Sequence, residues 1–325
     1  MSTVIIYLLF ILGLILIIKG GDYFVDASTW IAEISGIPKF IIGATIVSLA
    51  TTLPELLVST FAALQDPPNV GIAVGNAVGS VTANTGLIMG ISIVCIPAVI
   101  KRNQLSFKGI LLLLCCAALF AFSFGGELGL FPSIIILILF GIYIFENIKD
   151  AKRDNEKSLK NNEKPTKKIV ITNILKFILG AAGIVIGADL LVDNGQLIAK
   201  SLGISDAIIG VTVIAIGTSL PELVTTITAI VKKQASLSVG NIIGANIIDL
   251  TLIMPLCAVI SGGSLPIDAQ SSRLDLPVCL IIQLIAIIPA LISQKFKRCQ
   301  GVTLIVLYSI YLVVVCGGFF QNILY

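Results

Sequence analysis

The run Ala50-Thr51-Thr52-Leu53-Pro54-Glu55 stands inside an apolar stretch long enough to span a bilayer. The chain repeats it nearly letter for letter as Gly217-Thr218-Ser219-Leu220-Pro221-Glu222. An ionised carboxylate at the centre of a spanning helix costs about 2.5 kcal/mol or more on insertion scales, so such residues face a cavity and mark a path for ions or protons. Each glutamate also follows a proline, which has no N–H and whose ring collides with the carbonyl four residues earlier. The helices are therefore expected to break near Ala50 and Thr51, and near Gly217 and Thr218, turning carbonyl oxygens inward.

Composition sets the class. Hydrophobic residues make up 57% of the chain and charged residues 12%, with a mean hydropathy of +1.06, well away from the roughly 25% charged balance of soluble domains. This is the composition of an all-α, polytopic membrane protein. The net charge of +3 carries no nucleic-acid signal, because the Lys and Arg lie in short loops between apolar spans. The seven cysteines have no CxxC spacing and behave as small hydrophobes. Histidine is absent, which removes imidazole as metal ligand, base or proton relay.

Apolar segments fall near 4–34, 39–64, 70–99, 108–124, 131–148, 168–199, 207–231, 237–261, 275–294 and 302–319, giving ten expected spans. The first has neither a basic leader nor a small-residue cleavage site, and reads as a retained helix. Basic residues cluster after odd-numbered spans: Lys101, Arg102 and Lys108; Lys149 to Lys168; Lys232 and Lys233; Lys295, Lys297 and Arg298. The positive-inside rule then places those loops in the cytoplasm and both termini outside a cell membrane. The polar segment 149–168 reads as a solvated cytoplasmic linker between a first five-helix repeat, 1–148, and a second, 169–325.

The two halves match in detail. Asp22, Asp26, Gly36, Gly43, Thr45, Thr51, Leu53, Pro54 and Glu55 recur as Asp189, Asp193, Gly203, Gly210, Thr212, Thr218, Leu220, Pro221 and Glu222, at one offset (222 − 55 = 167). Further on the offset is 165 (241 − 76), pairing Gly75-Asn76-Ala77-Val78-Gly79-Ser80 with Gly240-Asn241-Ile242-Ile243-Gly244-Ala245, and Asn84 with Asp249. Five spans per half is an odd number, so the second half enters the membrane the other way up. Such inverted repeats bring their broken helices together near the midplane.

The groups expected to meet there all offer oxygen: the carboxylates of Glu55 and Glu222, the hydroxyls of Thr51, Thr52, Thr218 and Ser219, and Ser80, Asn84 and Asp249 from the second motif pair. An oxygen-only set without thiolate or imidazole suits hard cations, and Ca²⁺ takes six to eight such ligands. A proline alone is ordinarily a kink, and Gly-xxx-Gly at Gly75–Gly79 or Gly240–Gly244 is ordinarily a close helix contact. A purely structural role for the glutamates would need a basic partner, and neither motif has one within its span. Asp22, Asp26, Asp189 and Asp193 lie toward span ends and are read as reaching the interface.

GATIVSLATTLPELLVSTFAA with GNAVGSVTANTGLIMG, and GVTVIAIGTSLPELVTTITAI with GNIIGANIIDLTLIMP, resemble the two alpha-repeats of the cation/calcium exchanger superfamily, and within it the prokaryotic sodium/calcium exchanger branch. The resemblance covers essentially the whole chain. It implies ten helices with broken second, third, seventh and eighth members around a central ion chamber, and alternating access by sliding of the first and sixth. It further implies that Glu55 and Glu222 hold Ca²⁺ with the carbonyls of Thr51 and Thr218. Sodium sites would share those carboxylates and add Thr52, Ser80, Ser219 and the carbonyls of Ser48 and Ala215, while Asn84 and Asp249 would line the middle position.

The chain departs from the family pattern at Ala50 and Thr52, where Gly and Ser are usual, and at Ala245, where a Ser commonly gives its hydroxyl to sodium. The calcium/proton branch carries an acid where this chain has Gly79 and Gly244, and the potassium-dependent branch also has an Asp at the Asp249 position. The expected function is a secondary active antiporter exchanging Na⁺ for Ca²⁺ at one shared site, with H⁺ or K⁺ coupling as the alternative. No cofactor and no obligate protein partner are expected beyond the lipid bilayer. A hydrolase is disfavoured by the lack of His, of HExxH and of a nucleophile elbow, and a channel by two half-sites that occlude one another.

Overall fold

The computed structural model describes residues 3–64, 70–97, 99–100, 102–158, 166–201 and 219–316. The chain is a multi-helix membrane bundle. In lipid every backbone N–H and C=O must be satisfied within the chain, which makes helices the natural outcome of these apolar runs. The first half consists of α1 (Thr3–Ser35), the bent pair α2 (Lys39–Thr51) and α3 (Leu53–Ala63), α4 (Gly71–Cys95), α5 (Arg102–Ser123), the short strand β1 (Glu127–Gly129) and α6 (Leu130–Ser158). The second half consists of α7 (Lys167–Ser201), α8 (Leu220–Val231), α9 (Ala235–Ile260), β2 (Ser264–Pro266), α10 (Ser271–Ser293) and α11 (Arg298–Cys316).

Of the ten expected spans, nine are matched among the described residues: eight long apolar helices, and the bent pair α2–α3 counted as one. The remaining span is represented by α8, because 202–218, the first part of the second proline motif, lies outside the described residues.

The inverted symmetry is written in two glycine contacts. A Cβ at Gly13 would sit 2.9 Å from the Gly187 carbonyl oxygen, and one at Gly20 would sit 2.8 Å from that of Gly180. Gly13 and Gly180 are repeat counterparts, as are Gly20 and Gly187 (180 − 13 = 167), so the two contacts exchange under a twofold axis between α1 and α7. The helices are antiparallel and touch backbone to backbone, the close approach that small residues allow in lipid.

The pair α1–α7 forms a layer beside the rest of the molecule. Its apolar side chains face outward at Leu8, Ile11, Ile15, Leu175, Ile178 and Leu179, and inside it shares a small cluster with its neighbours around Phe24, Val25, Ile42, Val47, Ile184 and Leu237. The larger core is built on α4 and α9, the most buried of the long helices, packed by α5 and α10 through Val78, Val81, Leu112, Ile243, Ile247 and Ile282. At Gly244 an added Cβ would lie 2.7 Å from the Ala44 Cα, so the Gly240–Gly244 step is the close helix contact expected, made against α2.

The loops sort onto two faces. Lys39, after α1, donates to Gln234, after α8, and Val99, after α4, bridges Lys295, after α10. On the opposite face β1 pairs antiparallel with β2, Glu127 opposite Pro266 and Gly129 opposite Ser264. This is the alternation that the charge pattern requires.

Two readings of charged residues need correction. The stretch 149–168 is not a linker throughout: α6 continues to Ser158 and α7 begins at Lys167. Lys108 is not a loop residue. It lies buried within α5, 3.2 Å from Asp150, which Arg153 also meets at 3.1 Å. Composition marked Asp150 as solvated, whereas a partner 42 residues away in the chain draws it inward.

Candidate ion site

The break at the first motif falls at Thr52, between α2 and α3, with a bend of 44°. It is one residue later than expected, because Pro54 is tolerated near the start of a new helix, where its missing N–H has no partner to lose. The Thr52 N–H still reaches the Ser48 carbonyl at 2.9 Å, and Leu56 reaches Thr52 at 3.0 Å. Among the described residues no backbone bond spanning the break reaches the carbonyls of Leu49, Ala50 or Thr51. At the second motif α8 begins just after Ser219, whose carbonyl accepts from the Leu223 N–H at 3.0 Å, as Thr52 accepts from Leu56.

Both glutamates lie in the first turn of the new helix, Glu55 in α3 and Glu222 in α8. The positive end of each helix dipole favours negative charge there. Both are buried, at 1% and 0% exposure, and none of their four carboxylate oxygens has a hydrogen-bond partner among the described residues. Glu55 feels the charges of Glu222 and Asp249. Thr51 and Thr52 lie beside Glu222, so the first motif reaches the acid of the second.

A cluster of this kind needs positive charge from outside the protein. Among the described residues no lysine or arginine figures in the surroundings of the three acids, and an uncompensated buried carboxylate costs several kcal/mol. Among the described residues no three acidic or cysteine side chains are arranged to hold a metal by themselves. A cation between the glutamates would therefore draw its remaining ligands from hydroxyl, amide and backbone oxygens.

Asn84 and Asp249, repeat counterparts, each begin a π-helical turn, Asn84–Met89 in α4 and Asp249–Ile253 in α9. Such turns widen a helix by one residue and recur at functional sites. Both side chains are fully buried, and their polar atoms have no partner among the described residues. A third π-helical turn, Gly43–Val47, lies in α2, where the Tyr143 hydroxyl donates to the Ala44 carbonyl. No feature of the sequence marked these turns.

The remaining expected ligands are placed as follows. Ser80 and Ser219 meet hydroxyl to hydroxyl at 3.4 Å, while the buried Thr52 hydroxyl has no partner among the described residues. The Ser48 carbonyl already accepts from the Thr52 N–H and, at 3.3 Å, from the Thr51 hydroxyl. Thr218 and Ala215 lie outside the described residues.

Sequence reasoning missed the amides that hold the motifs in place. Asn241 accepts from Thr51 at 3.2 Å and donates to Thr225 at 3.1 Å, and Asn76 donates to the Glu55 carbonyl at 3.1 Å and to Ser59 at 2.9 Å. Farther along, Asn246 and Gln283 both donate to Thr85, at 2.6 and 2.8 Å. Asn76 and Asn241 stood in the paired Gly-Asn motifs, which was a usable signal. Gln283 comes from outside the repeats.

The arrangement is that of a membrane cation exchanger. A family described as "Sodium/calcium exchanger protein" matches residues 5–149 and 172–317. The chain is 36% identical over 302 residues to "Uncharacterized membrane protein MJ0091" of Methanocaldococcus jannaschii, covering 93% of this chain and 95% of that one. It is 31% identical to "Sodium/calcium exchanger MaX1" of Methanosarcina acetivorans, covering 95% and 97%. A solved structure of the sodium-calcium exchanger NCX_Mj, soaked with Na⁺ and Sr²⁺, superposes with a TM-score of 0.84 at 31% identity, over 96% of this chain and 99% of that one. The chain belongs to the sodium/calcium exchanger family. It is a multi-pass membrane antiporter of cations and not an enzyme.

Proposed function

We propose that this chain exchanges Na⁺ for Ca²⁺ at one central site shared by both ions. The observation that carries the reading is the pair Glu55 and Glu222: counterparts in inverted repeats, each behind a proline break, buried, and without a partner for any carboxylate oxygen among the described residues. Two carboxylates balance one divalent charge. Ca²⁺ would be completed by carbonyl oxygens at the breaks, those of Thr51 and Thr218, and Na⁺ by Thr52, Ser80 and Ser219, with Ser48 and Ala215 giving carbonyls. Asn84 and Asp249 would line the middle. Because both ions need the same carboxylates, binding of one excludes the other, and exchange follows from competition.

Proton coupling through the same acids is the second reading. The acids of the calcium/proton branch would stand at Gly79, where an added Cβ meets no described atom within 4 Å, and at Gly244, where the backbone of α2 leaves no room for a side chain. The basic loops support an orientation with 149–168 cytoplasmic and both termini external, and a division of the chain into halves 1–148 and 169–325 around that segment. Calcium uptake into proteoliposomes, driven in turn by outward Na⁺, K⁺ and H⁺ gradients, tests the reading. Uptake driven by Na⁺ supports it, and uptake driven by H⁺ alone overturns it.

A further inference from the structure

We infer that Lys232 is a positioning residue: an ionic tie that holds the α1–α7 layer to the site-bearing helix α8 on one face of the molecule only. Lys232 caps the C-terminus of α8, the same unbroken helix that carries Glu222 in its first turn. Its ammonium lies 2.8 Å from Asp26 Oδ1 and 3.3 Å from Asp22 Oδ1, and donates to the Asp22 carbonyl oxygen at 2.8 Å. One lysine thus holds three oxygens of α1.

The tie crosses the seam between the α1–α7 layer and the rest of the molecule. The α1–α7 pair is fastened to itself by backbone contacts at Gly13, Gly20, Gly180 and Gly187. Among the described residues the buried apolar cluster it shares with its neighbours is the small one, separate from the larger core. Beside the tie, α1 offers Gly21, against which Val224 and Thr228 of α8 pack so closely that a Cβ would lie 2.7 Å from the Thr228 hydroxyl. Among the described residues the ion pairs that join α1 directly to α8 are those of Lys232, which so bears on the register of the layer. Lys39, at the start of α2, pairs with Glu33 near the end of α1 and donates to Gln234 just past α8, so it braces the same face through the α1–α2 turn and does not join α1 to α8 directly.

The symmetry makes the tie one-sided. The acids have counterparts, Asp189 and Asp193, in the opposite half of the antiparallel pair, but the counterpart of Lys232 is Gln65 (232 − 65 = 167), which has no charge to offer. Two arrangements of the layer related by the twofold axis would therefore differ in energy, with the tie favouring the one seen here. Ion pairs as exposed as this are individually weak, so its loss is expected to shift the balance about three- to tenfold.

For exchange the inference rests on the proposed antiport, but the layer position is read without transport. Spin labels at Leu8→Cys in α1 and Val302→Cys in α11, in a background lacking reactive cysteines, report the distance between layer and core. Lys232→Ala is expected to add or enlarge a second distance population. Lys232→Arg, and the swap of Lys232→Asp with Asp26→Lys, are expected to restore the parental distribution. In proteoliposomes Lys232→Ala should change half-saturating Ca²⁺ in opposite senses on the two faces, with Lys232→Arg returning both toward the parent. An unchanged distance distribution in Lys232→Ala, or an equal change in Arg and Ala variants, overturns the inference. Failure of the parent to exchange calcium, with the distances behaving as expected, would count against the transport reading alone.

Discussion

The Ser219 hydroxyl lies 3.4 Å from the Ser80 hydroxyl, joining the proline break of one repeat to the Gly-Asn helix of the other. The twin of this contact is missing. Thr52, the counterpart of Ser219, keeps a buried hydroxyl without a partner among the described residues, because the counterpart of Ser80 is Ala245. At this pair of positions the two sides of the site thus differ by one hydroxyl. Ala245→Ser is expected to strengthen sodium inhibition of calcium binding and to leave sodium-free calcium affinity nearly unchanged. Calcium titrations at several sodium concentrations measure both, and equal inhibition in mutant and parent would remove sodium from that position.

The glutamate pair gives the largest expected effect. Removing one partner of a buried charge arrangement costs about 3 kcal/mol or more. Glu55→Gln or Glu222→Gln should therefore weaken calcium binding at least about a hundredfold and abolish exchange, in protein that still elutes as a folded species in detergent. Near-normal transport by either variant would displace the site from these residues.

Much of this was legible in the sequence because it depends on identity and spacing. Proline dictates a break, a repeated offset dictates symmetry, and Glu55 and Glu222 cannot be buried in lipid without a purpose. What stayed hidden depends on packing across the chain. The π-helical turns at Asn84 and Asp249 have no local marker. The Lys108–Asp150 pair joins residues that composition assigned to loops and solvent, and the Lys232 tie recruits two aspartates that had been read as interfacial. Glycines 13, 20, 180 and 187 obey the repeat offset, yet only the crossing of α1 and α7 shows what they touch.

Gly244 tests how tightly α9 is set against α2. A Cβ there would meet the Ala44 Cα at 2.7 Å and the Ser48 Oγ at 2.5 Å, and backbone cannot yield as a side-chain tip can. Overpacking of this kind costs about 1–3 kcal/mol. Gly244→Ala should lower the thermal midpoint in detergent and weaken calcium binding through displacement of α2. Gly141→Ala, in α6 where no described atom lies within reach, should leave both unchanged or raise stability slightly, since alanine favours a helix.

The buried pair Lys108–Asp150 should respond unequally to its two deletions. Asp150 retains Arg153 at 3.1 Å when Lys108 is lost, whereas Lys108, 1% exposed, has no other ion-pair partner among the described residues. Asp150→Asn strands a buried ammonium and is expected to cost about 2–3 kcal/mol, more than Lys108→Met. Thermal midpoints of the two variants in one detergent decide the order, and the reverse order would mean that Arg153 does not hold Asp150.

An expected orientation comes from joining the charge pattern to the observed faces. Lys39 and Gln234 are hydrogen-bonded on one face and Glu127 pairs with Pro266 on the other, so fixing the side of any one loop fixes the rest. The basic loops that include Lys232, Lys233, Lys295, Lys297 and Arg298 all belong to the first face, and positive loops stay in the cytoplasm. Single cysteines at Lys233→Cys and at Glu127→Cys, both exposed positions, are therefore expected to divide cleanly. An impermeant thiol reagent added to intact cells should mark the second and spare the first until the membrane is opened. Labelling of Lys233→Cys alone would invert the molecule while leaving its internal symmetry intact, and labelling of both in intact cells would mean that the chain inserts in two orientations.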